Sequence, residues 1–502
     1  MINFRENIVG SILSYLNIVA QIIVNLIYVP LLLKYLGKET YGIYQYFLVI
    51  ISYMSIAECG LTNSIIRFYT EYVQQKKFIQ ASNLLAMAMR SYAVICIILF
   101  LFGVFIYFNL DNIITNNLVN NFDVKASFFI FLLNLILSIG TTVFTAVLNV
   151  NEKFIKLRLI SLISNIVPAI IIVLLLEKYT SILLIAMIQF VINIIIVIYK
   201  IYYCKKILRI SIKINKWDWT VFKKISSLAL SVLLVVIADQ LFWRSNILLL
   251  GFYDRLDDLV YYSIATSIFI NFMTIGNVVP GIFSVRFLKL LSEKSDISQL
   301  FFSISRYQFI LLSFVFSGFC IFGKEFIILW IGKEFIIVYW LTVTFLVSIM
   351  IDLSQCMLQT VMQFNNIYWY KSYIYVGLGF VNFVVISFLI NMFNIDILGI
   401  AIITSLLMFL GNSVLLNYIC KNKVSLNFVR FWKELLISFF KILCIILLFS
   451  LINMQFLTSS IWVLVVKIIL YSLLFFIINY FIMLTVRERV IISSFIRRKI
   501  YV

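Results

Sequence analysis

The stretch Tyr28–Phe47, YVPLLLKYLGKETYGIYQYF, contains the turn that decides the fold. An apolar run ends at Lys34, a short charged segment follows, and a second apolar run begins at Tyr41. The later stretch Asn246–Thr266, NILLLGFYDRLDDLVYYSIAT, has the same arrangement. Long apolar runs separated by short polar turns are typical of helices that cross a membrane one after another.

The composition also indicates a membrane protein. Of the 502 residues, 64% are hydrophobic, whereas soluble domains contain about 45–50% apolar residues. The chain has no histidine, which excludes histidine-based acid–base catalysis and histidine metal sites. Its seven cysteines include no CxxC pair, so neither a zinc site nor a disulfide framework is indicated. We expect no metal and no bound cofactor.

Fourteen apolar runs are long enough to cross the hydrocarbon core as helices, which takes about 20 residues each. They cover residues 8–33, 41–66, 81–108, 126–149, 157–176, 180–203, 225–250, 259–285, 307–323, 335–361, 370–391, 397–420, 435–453 and 460–484. The predicted fold is an all-α polytopic membrane protein with about 14 transmembrane helices.

The charge distribution orients these spans. Most of the 40 Lys and Arg residues fall at the two termini and in the even-numbered loops, and the connection 200–224 is the most basic. Short loops rich in Lys and Arg stay on the cytoplasmic side, so both termini are predicted to be cytoplasmic. The net charge of +19 is then explained by topology and anionic lipid, and no nucleic-acid partner is expected.

An internal repeat is suggested by two pairs of segments. Leu36-Gly37 is matched by Leu250-Gly251, and VLNVNEKF (147–154) is matched by VMQFNNIY (361–368). The separation along the chain is the same in both pairs. An offset shared by distant segments predicts two parallel six-helix bundles plus two extra C-terminal helices. The predicted parts are an N-terminal bundle over 1–203, a basic cytoplasmic linker over 204–224, a C-terminal bundle over 225–420, and helices 13 and 14 with a basic cytoplasmic tail over 421–502.

Charged and polar side chains inside the spans indicate a wet passage, because a charge at the centre of a membrane helix costs at least about 2.5 kcal/mol. In the seventh run, IADQLFWRSNILLLG, the polar residues cluster on one side of a helical wheel. Glu58, Arg90 and Asp352 add charges to the second, third and tenth runs. We therefore predict a substrate cavity lined by Glu58, Arg90, Asp239, Gln240, Trp243, Arg244, Asn246 and Asp352.

Packing is the alternative explanation for several of these side chains. Asp239 and Arg244 could form interhelical pairs, and Arg90 could extend its side chain to the inner surface. We interpret Lys441 and Lys467, in the last two runs, as structural or as extending in the same way.

Three further residues have weaker assignments. Arg67 and Arg286 mark the inner ends of their spans, and they could also contact an anionic head group at the cytoplasmic mouth. Pro280 follows Gly276 and Asn277 in the eighth run, and a proline there predicts either a hinge or a static kink.

Three segments resemble one family. PLLLKYLGKETYGIYQYF (30–47), AECGLTNSIIRFYTEY (57–72) and LNVNEKFIKLRLISLISNIV (148–167) are similar to bacterial polysaccharide-export proteins. These are the O-antigen and capsule flippases of the multidrug/oligosaccharidyl-lipid/polysaccharide exporter superfamily. Where that family commonly has an aspartate before a glycine-leucine pair, this chain has Glu58.

The resemblance implies a flippase of the bacterial cytoplasmic membrane. It would move an undecaprenyl-diphosphate-linked oligosaccharide from the inner to the outer face by alternating access, for surface polysaccharide biosynthesis. On this hypothesis Arg90 and Arg244 bind the diphosphate, Glu58 or Asp239 couples H⁺ or Na⁺, and the last two helices border a groove for the lipid tail. Its partners would be the lipid-linked oligosaccharide, membrane lipids, a polysaccharide polymerase and glycosyltransferases.

Other functions stay open. A drug or cation antiporter of the same fold would use Glu58, Asp239 and Asp352 to bind cationic compounds, and a peptidoglycan lipid-precursor flippase is a further alternative. A membrane-embedded glycosyltransferase or polymerase is disfavoured because the outer loops are short. The acidic residues in 254–258 are interpreted as a solvated turn, so we expect a transporter and not an enzyme.

Overall fold

The computed structural model describes an all-helical chain. The described residues are 4–58, 60–113, 121–210, 212, 217–277, 280, 283, 287, 290–291, 293, 297–365, 367–421, 424, 426–454 and 460–482, and no strand occurs among them. The helices of the first half are α1 Phe4–Leu36, α2 Lys38–Met54, α3 Leu61–Gln74, α4 Phe78–Phe108, α5 Leu110–Ile113, α6 Phe122–Gly140, α7 Thr142–Val150, α8 Phe154–Leu176 and α9 Ile182–Tyr202. Those that follow are α10 Trp219–Trp243, α11 Ser245–Phe252, α12 Leu256–Gly276, α13 Ser298–Trp330, α14 Ile336–Ser354, α15 Cys356–Phe364, α16 Trp369–Phe393, α17 Ile397–Phe409, α18 Leu416–Cys420, α19 Phe428–Met454 and α20 Ile461–Ile482.

Within these ranges, 13 helical stretches are long and apolar enough to cross a membrane. The predicted seventh span, 225–250, coincides with α10 and α11, which are not counted among the 13. The prediction of an all-α polytopic membrane protein is therefore confirmed.

Several spans consist of two helices joined by a short break. Between α2 and α3 the chain passes through a 3-10 turn, Ser55–Glu58, and then through Gly60 at φ +66°. Single residues separate α6 from α7 (Thr141), α10 from α11 (Arg244) and α14 from α15 (Gln355). Because lipid cannot satisfy the backbone groups that a break releases, such breaks belong in protein or in a wet cavity.

Helix bounds show the internal repeat. Helices α6 and α7 correspond to α14 and α15. The first and last residues of the corresponding helices differ by the same offset that separates 147–154 from 361–368. The two pairs thus share their lengths, 19 and 9 residues, as well as the break between them. This agrees with the repeat that was predicted from 147–154 and 361–368.

After α7 and α15 the repeat continues with an offset that is larger by one residue. This offset relates the starts of α8 and α9 to those of α16 and α17. The N-cap side chains are equivalent too, since Ser181 accepts a hydrogen bond from the Leu183 N–H and Asp396 accepts one from the Leu398 N–H. The helices of spans 4–6 therefore have counterparts in spans 10–12.

The second sequence match, Leu36-Gly37 with Leu250-Gly251, is not a structural equivalence. Gly37 precedes α2 with φ +77°, a conformation that favours glycine. Gly251 lies inside α11, where an added Cβ would overlap the Tyr46 ring. Glycine is needed for a turn at the first position and for close packing at the second.

Contacts between Cα atoms divide the chain into two compact units. Unit 1 comprises residues 1–263 and 379–394, and unit 2 comprises 264–378 and 395–502. In unit 1, the Phe47 ring packs edge-to-face on Phe128 at 5.2 Å between centroids. The domain boundaries proposed from the sequence stay a prediction.

In unit 2, the last two helices pack on α13. The apolar part of this contact is a buried cluster formed by Ile321, Phe322, Ile445, Phe449, Leu464, Tyr471 and Phe475. The Lys467 ammonium lies 3.7 Å from the Glu325 carboxylate, and Asn453 bonds to both side chains. The structural interpretation of Lys467 agrees with these contacts.

We expect Gly251→Ala to destabilise the protein by about 1–3 kcal/mol, because the new methyl group must displace the Tyr46 ring in a packed core. The measurement is thermal unfolding of the detergent-solubilised chain, with the remaining folded fraction determined by size-exclusion chromatography. Gly377→Ala in α16 is the matched control, since no heavy atom beyond its chain neighbours and its own helix backbone lies within 4 Å of the added Cβ in the described structure. Equal melting temperatures for the two variants would contradict the packing role of Gly251.

Candidate functional site

Unit 1 contains a polar cavity of about 470 Å³ among α1, α6, α8 and α9. Its polar lining residues are Gln21, Asn25, Tyr28, Asn134, Ser138, Ser164, Asn165, Gln189, Asn193 and Lys200. We call it the amide cavity, because carboxamides are the commonest of these groups. Lys200 is the charged residue of the lining, and no carboxylate belongs to it in the part of the chain that the structure describes.

Helical periodicity places these side chains on the walls of the amide cavity. Gln189 and Asn193 are four residues apart and therefore share a face of α9. The Asn193 amide donates hydrogen bonds to Asn134 Oδ1 and to Ser138 Oγ, the latter at 2.8 Å. On α1, the buried Tyr28 hydroxyl has no hydrogen-bond partner among the described residues.

Sequence reasoning missed the amide cavity because it followed charged residues. The available signal was a set of carboxamides in four apolar runs, with pairs at helical spacing in two of them: Gln21 and Asn25 in the first, and Gln189 and Asn193 in the sixth. Uncharged amides carry a smaller penalty in a membrane helix than charges do, so each one alone indicates little.

A second cavity of unit 1, of about 620 Å³, lies among α3, α4 and α10. Its lining residues are Leu61, Arg90, Ser91, Val94, Ile95, Trp217, Phe222, Ser226, Ala229 and Leu233. We call it the arginine cavity. Apolar walls surround the exposed Arg90 side chain, and within the described ranges no carboxylate forms an ion pair with it.

The start of α10 forms one wall of the arginine cavity. Asp218 caps this helix, and the hydrogen bonds that its carboxylate accepts from the Thr220 hydroxyl and from backbone N–H groups lower the pKa of Asp218. The Trp217 ring packs against Phe222 at 5.4 Å between centroids. Trp217 also lines the cavity, and its buried Nε1–H has no acceptor in the described structure.

Glu58 ends the 3-10 turn before α3 and is half-buried. Its carboxylate accepts a hydrogen bond from the Thr62 hydroxyl, which is in turn 2.8 Å from the Tyr92 hydroxyl. The Glu58 carboxylate therefore belongs to a hydrogen-bonded chain that links α3 to α4, close in sequence to Leu61 of the arginine cavity.

The polar residues of the seventh span have different surroundings. Gln240 is held to α2, where its side chain accepts from Ser52 Oγ at 3.2 Å and its carbonyl accepts from the Tyr53 hydroxyl at 3.1 Å. Arg244 stands in the break and is half-buried close to Tyr53. Asp239 is exposed and Trp243 is half-buried.

Asn246, in contrast, is fully buried in unit 1. Its amide donates to the Tyr262 hydroxyl at 2.6 Å, and its carbonyl oxygen accepts from Asn382 at 3.3 Å. These bonds tie α11 to α12 and α16. In this conformation the Asn246 side chain serves packing, and its role in substrate binding stays a prediction.

Asp352 lies in unit 2 and is buried at the end of α14. The Lys371 ammonium is 3.8 Å from one carboxylate oxygen, and the Asn412 amide donates to the other at 3.4 Å. Gln355, in the break that follows, donates to the Asn412 carbonyl at 2.7 Å. The cationic partner of Asp352 was not predicted, because Lys371 falls at the start of the eleventh span and resembles a topology marker.

The remaining predicted residues lie apart from the two cavities or outside the description. Arg67 is exposed on α3. Arg286 lies outside the described residues. Pro280 is described, but its neighbours at 278–279 and 281–282 are not, so its role as a hinge stays a prediction.

Comparisons with known proteins add the family and the fold. The model of a family described as "Polysaccharide biosynthesis protein" matches residues 9–287, which is more than half of the chain. No curated protein sequence matches. A structure of the lipid II flippase MurJ in an inward closed conformation is 16% identical with a TM-score of 0.67, over 94% of this chain and 99% of that one.

Two transporters also share the fold. An inward-facing multidrug resistance MATE family transporter of the MOP superfamily has a TM-score of 0.63 at 11% identity, over 78% of this chain and 92% of that one. The eukaryotic MATE transporter AtDTX14 has a TM-score of 0.55 at 13% identity, over 82% and 96%. At these identities the similarity shows the fold alone.

We expect Lys371→Met to destabilise unit 2 by about 3–5 kcal/mol, because it leaves the buried Asp352 carboxylate without its ion-pair partner. The double variant Asp352→Asn, Lys371→Met should recover most of this loss, since neither charge then remains. A double-mutant cycle of thermal unfolding measures the coupling. Additive effects of the two substitutions would show that the pair is not coupled and would leave Asp352 available for a ligand.

Proposed function

Since the chain belongs to the polysaccharide biosynthesis protein family, we propose that it is a flippase for a polyprenyl-diphosphate-linked oligosaccharide. It moves this lipid from the inner to the outer face of the bacterial cytoplasmic membrane by alternating access, for surface polysaccharide biosynthesis such as that of O-antigen or capsule. Both termini are on the cytoplasmic side. The protein works as a transporter, without catalysing a reaction.

The observation that carries this proposal is the charge of the two cavities. Arg90 is the charged residue in the lining of the arginine cavity, and Lys200 is the charged residue in the lining of the amide cavity. Neither lining includes a carboxylate within the described ranges. An anionic or uncharged polar head group fits such walls, whereas a cationic drug would lose hydration without gaining a counter-charge. The drug or cation antiporter is therefore the weaker alternative.

The arginine cavity suits an amphiphile in particular. A diphosphate needs cationic and N–H donors, which Arg90 and Trp217 supply. The apolar walls, among them Val94 and Leu233, suit the first isoprene units of a lipid. We assign Arg244 as a second diphosphate contact at a later stage of transport, because it is half-buried and has no carboxylate partner in the described structure.

The substrate must be made and used by other proteins. Glycosyltransferases on the inner face would assemble the lipid-linked oligosaccharide, and a polysaccharide polymerase on the outer face would consume it. We assign the surface of α19 and α20 to the lipid tail, because both helices expose large apolar side chains such as Leu447 and Leu473. Peptidoglycan lipid precursor is the alternative substrate, and it would make deletion of the gene lethal.

We expect Arg90→Gln to weaken binding of undecaprenyl diphosphate by about 10- to 100-fold, the loss of one charge-assisted hydrogen bond. Arg244→Ala should reduce surface polysaccharide in cells that lack the wild-type gene, at matched protein levels. Lys178→Gln, in the exposed turn between α8 and α9, is the control for loss of a positive charge. Undiminished lipid binding and export in both arginine variants would reject the proposed diphosphate contacts.

We further propose that transport is coupled to H⁺ or Na⁺ through Glu58 or Asp239. Glu58 is the stronger candidate, because its carboxylate accepts from the Thr62 hydroxyl, which in turn contacts the Tyr92 hydroxyl and so links two helices that line the arginine cavity. In proteoliposomes, Glu58→Gln should abolish the response of transport to an imposed H⁺ or Na⁺ gradient while exchange without a gradient continues. An unchanged response in both Glu58→Gln and Asp239→Asn would contradict coupling at these residues.

A further inference from the structure

We infer that the amide cavity is a saccharide-binding site, which takes hydroxyl- and acetamido-bearing sugars. The inference rests on the proposed function in one respect, namely that the sugar is carried by a lipid. The binding of sugar to the cavity can be tested without the lipid. At about 470 Å³, the cavity falls within the range of about 300–1,000 Å³ that is usual for small-molecule sites.

The hydrogen-bonding groups of the cavity match a sugar. A carboxamide offers both donors and an acceptor, so it can pair with hydroxyl and acetamido groups. The two N–H groups of Asn193 already donate to Asn134 and Ser138, which leaves its carbonyl oxygen for a sugar hydroxyl. The Tyr28 hydroxyl is buried at the wall and has no partner in the described structure.

The internal repeat provides a built-in comparison for these polar residues. With the offsets of the equivalent helices, Asn165 and Asn193 correspond to Phe380 and Met408. Asn134 and Gln189 correspond to the shorter hydroxyl residues Ser348 and Thr404.

The second copy therefore forms the same helices without a carboxamide at any of these positions. Hence the carboxamides of the first copy are not required by the helix geometry that both copies share. Polar side chains that the shared helix geometry does not require point to a ligand-binding role in the first copy.

A cation is the alternative ligand, and the lining argues against it. A cation bound here would find no carboxylate in the described lining and would be repelled by the positive charge of Lys200. The Lys200 ammonium donates to the Thr145 hydroxyl at 3.1 Å and keeps its other N–H groups for further acceptors. The cavity thus suits a neutral sugar or one that carries an acidic group.

The test compares two lipids on the full-length chain in nanodiscs. The probes are undecaprenyl diphosphate and undecaprenyl-diphosphate N-acetylglucosamine. Wild type should bind the second lipid more tightly. Asn193→Met, which introduces the residue of the second copy, should weaken binding of the sugar-bearing lipid by about 3- to 10-fold, the effect of one lost hydrogen bond, and leave binding of the bare lipid unchanged.

Three further variants separate the sugar site from folding and from the diphosphate site. Arg90→Gln should weaken the binding of both lipids. Asn193→Gln keeps the amide, and should keep part of the preference for the sugar-bearing lipid if Asn193→Met fails to fold. Asn479→Leu removes a buried amide of α20, outside the cavity lining, and should bind both lipids like wild type.

Free N,N′-diacetylchitobiose, measured by equilibrium dialysis, tests the cavity without the lipid. Binding to wild type that Asn193→Met reduces supports the saccharide site, even if neither lipid binds and the proposed function fails. The saccharide site is overturned if both lipids bind equally well and if disaccharide binding is either absent or unchanged in Asn193→Met. The flippase proposal would survive that result.

Discussion

Every polar group that this chain carries into the membrane must be satisfied by the protein or by water that the protein admits, because hydrocarbon offers no hydrogen bonds. That constraint accounts for the positions of the polar features. At the break, the Gln355 side chain donates a hydrogen bond to the Asn412 carbonyl, and the Asn412 amide donates one to Asp352. Asn246 bonds to Tyr262 and Asn382. Two buried groups without a partner in the described structure, the Tyr28 hydroxyl and the Trp217 indole N–H, belong to residues that line the cavities.

The duplicated helices separate what the fold needs from what a ligand needs. Both copies keep the break after a 19-residue helix, at Thr141 and at Gln355. They differ in the side chains around it. Ser138 of the first copy belongs to the amide cavity, whereas its counterpart Asp352 is paired with Lys371. Backbone geometry was thus retained in both copies while their polar chemistry diverged.

Hydropathy alone predicts the spans, because apolar length is a local property of the sequence. The surroundings of individual polar residues are not local. A helical wheel placed Asn246 beside Asp239 on one wet face, but it assumed a continuous helix, and the break at Arg244 separates the two residues. Likewise, Lys371 becomes the partner of Asp352 only through packing between distant spans. The amide cavity assembles carboxamides from four helices, none of which is distinctive by itself.

Neutral amides also suit a site through which a substrate must pass. A transported head group has to bind well enough to leave water and weakly enough to be released on the other side. Hydrogen bonds between neutral groups contribute about 0.5–1.5 kcal/mol each, whereas those to charged groups contribute about 1.5–3 kcal/mol. A wall of carboxamides therefore replaces the hydration of a sugar by several bonds of similar strength. On the proposed function, a single cation such as Arg90, set among apolar side chains, would hold the diphosphate without binding the whole molecule too tightly for release.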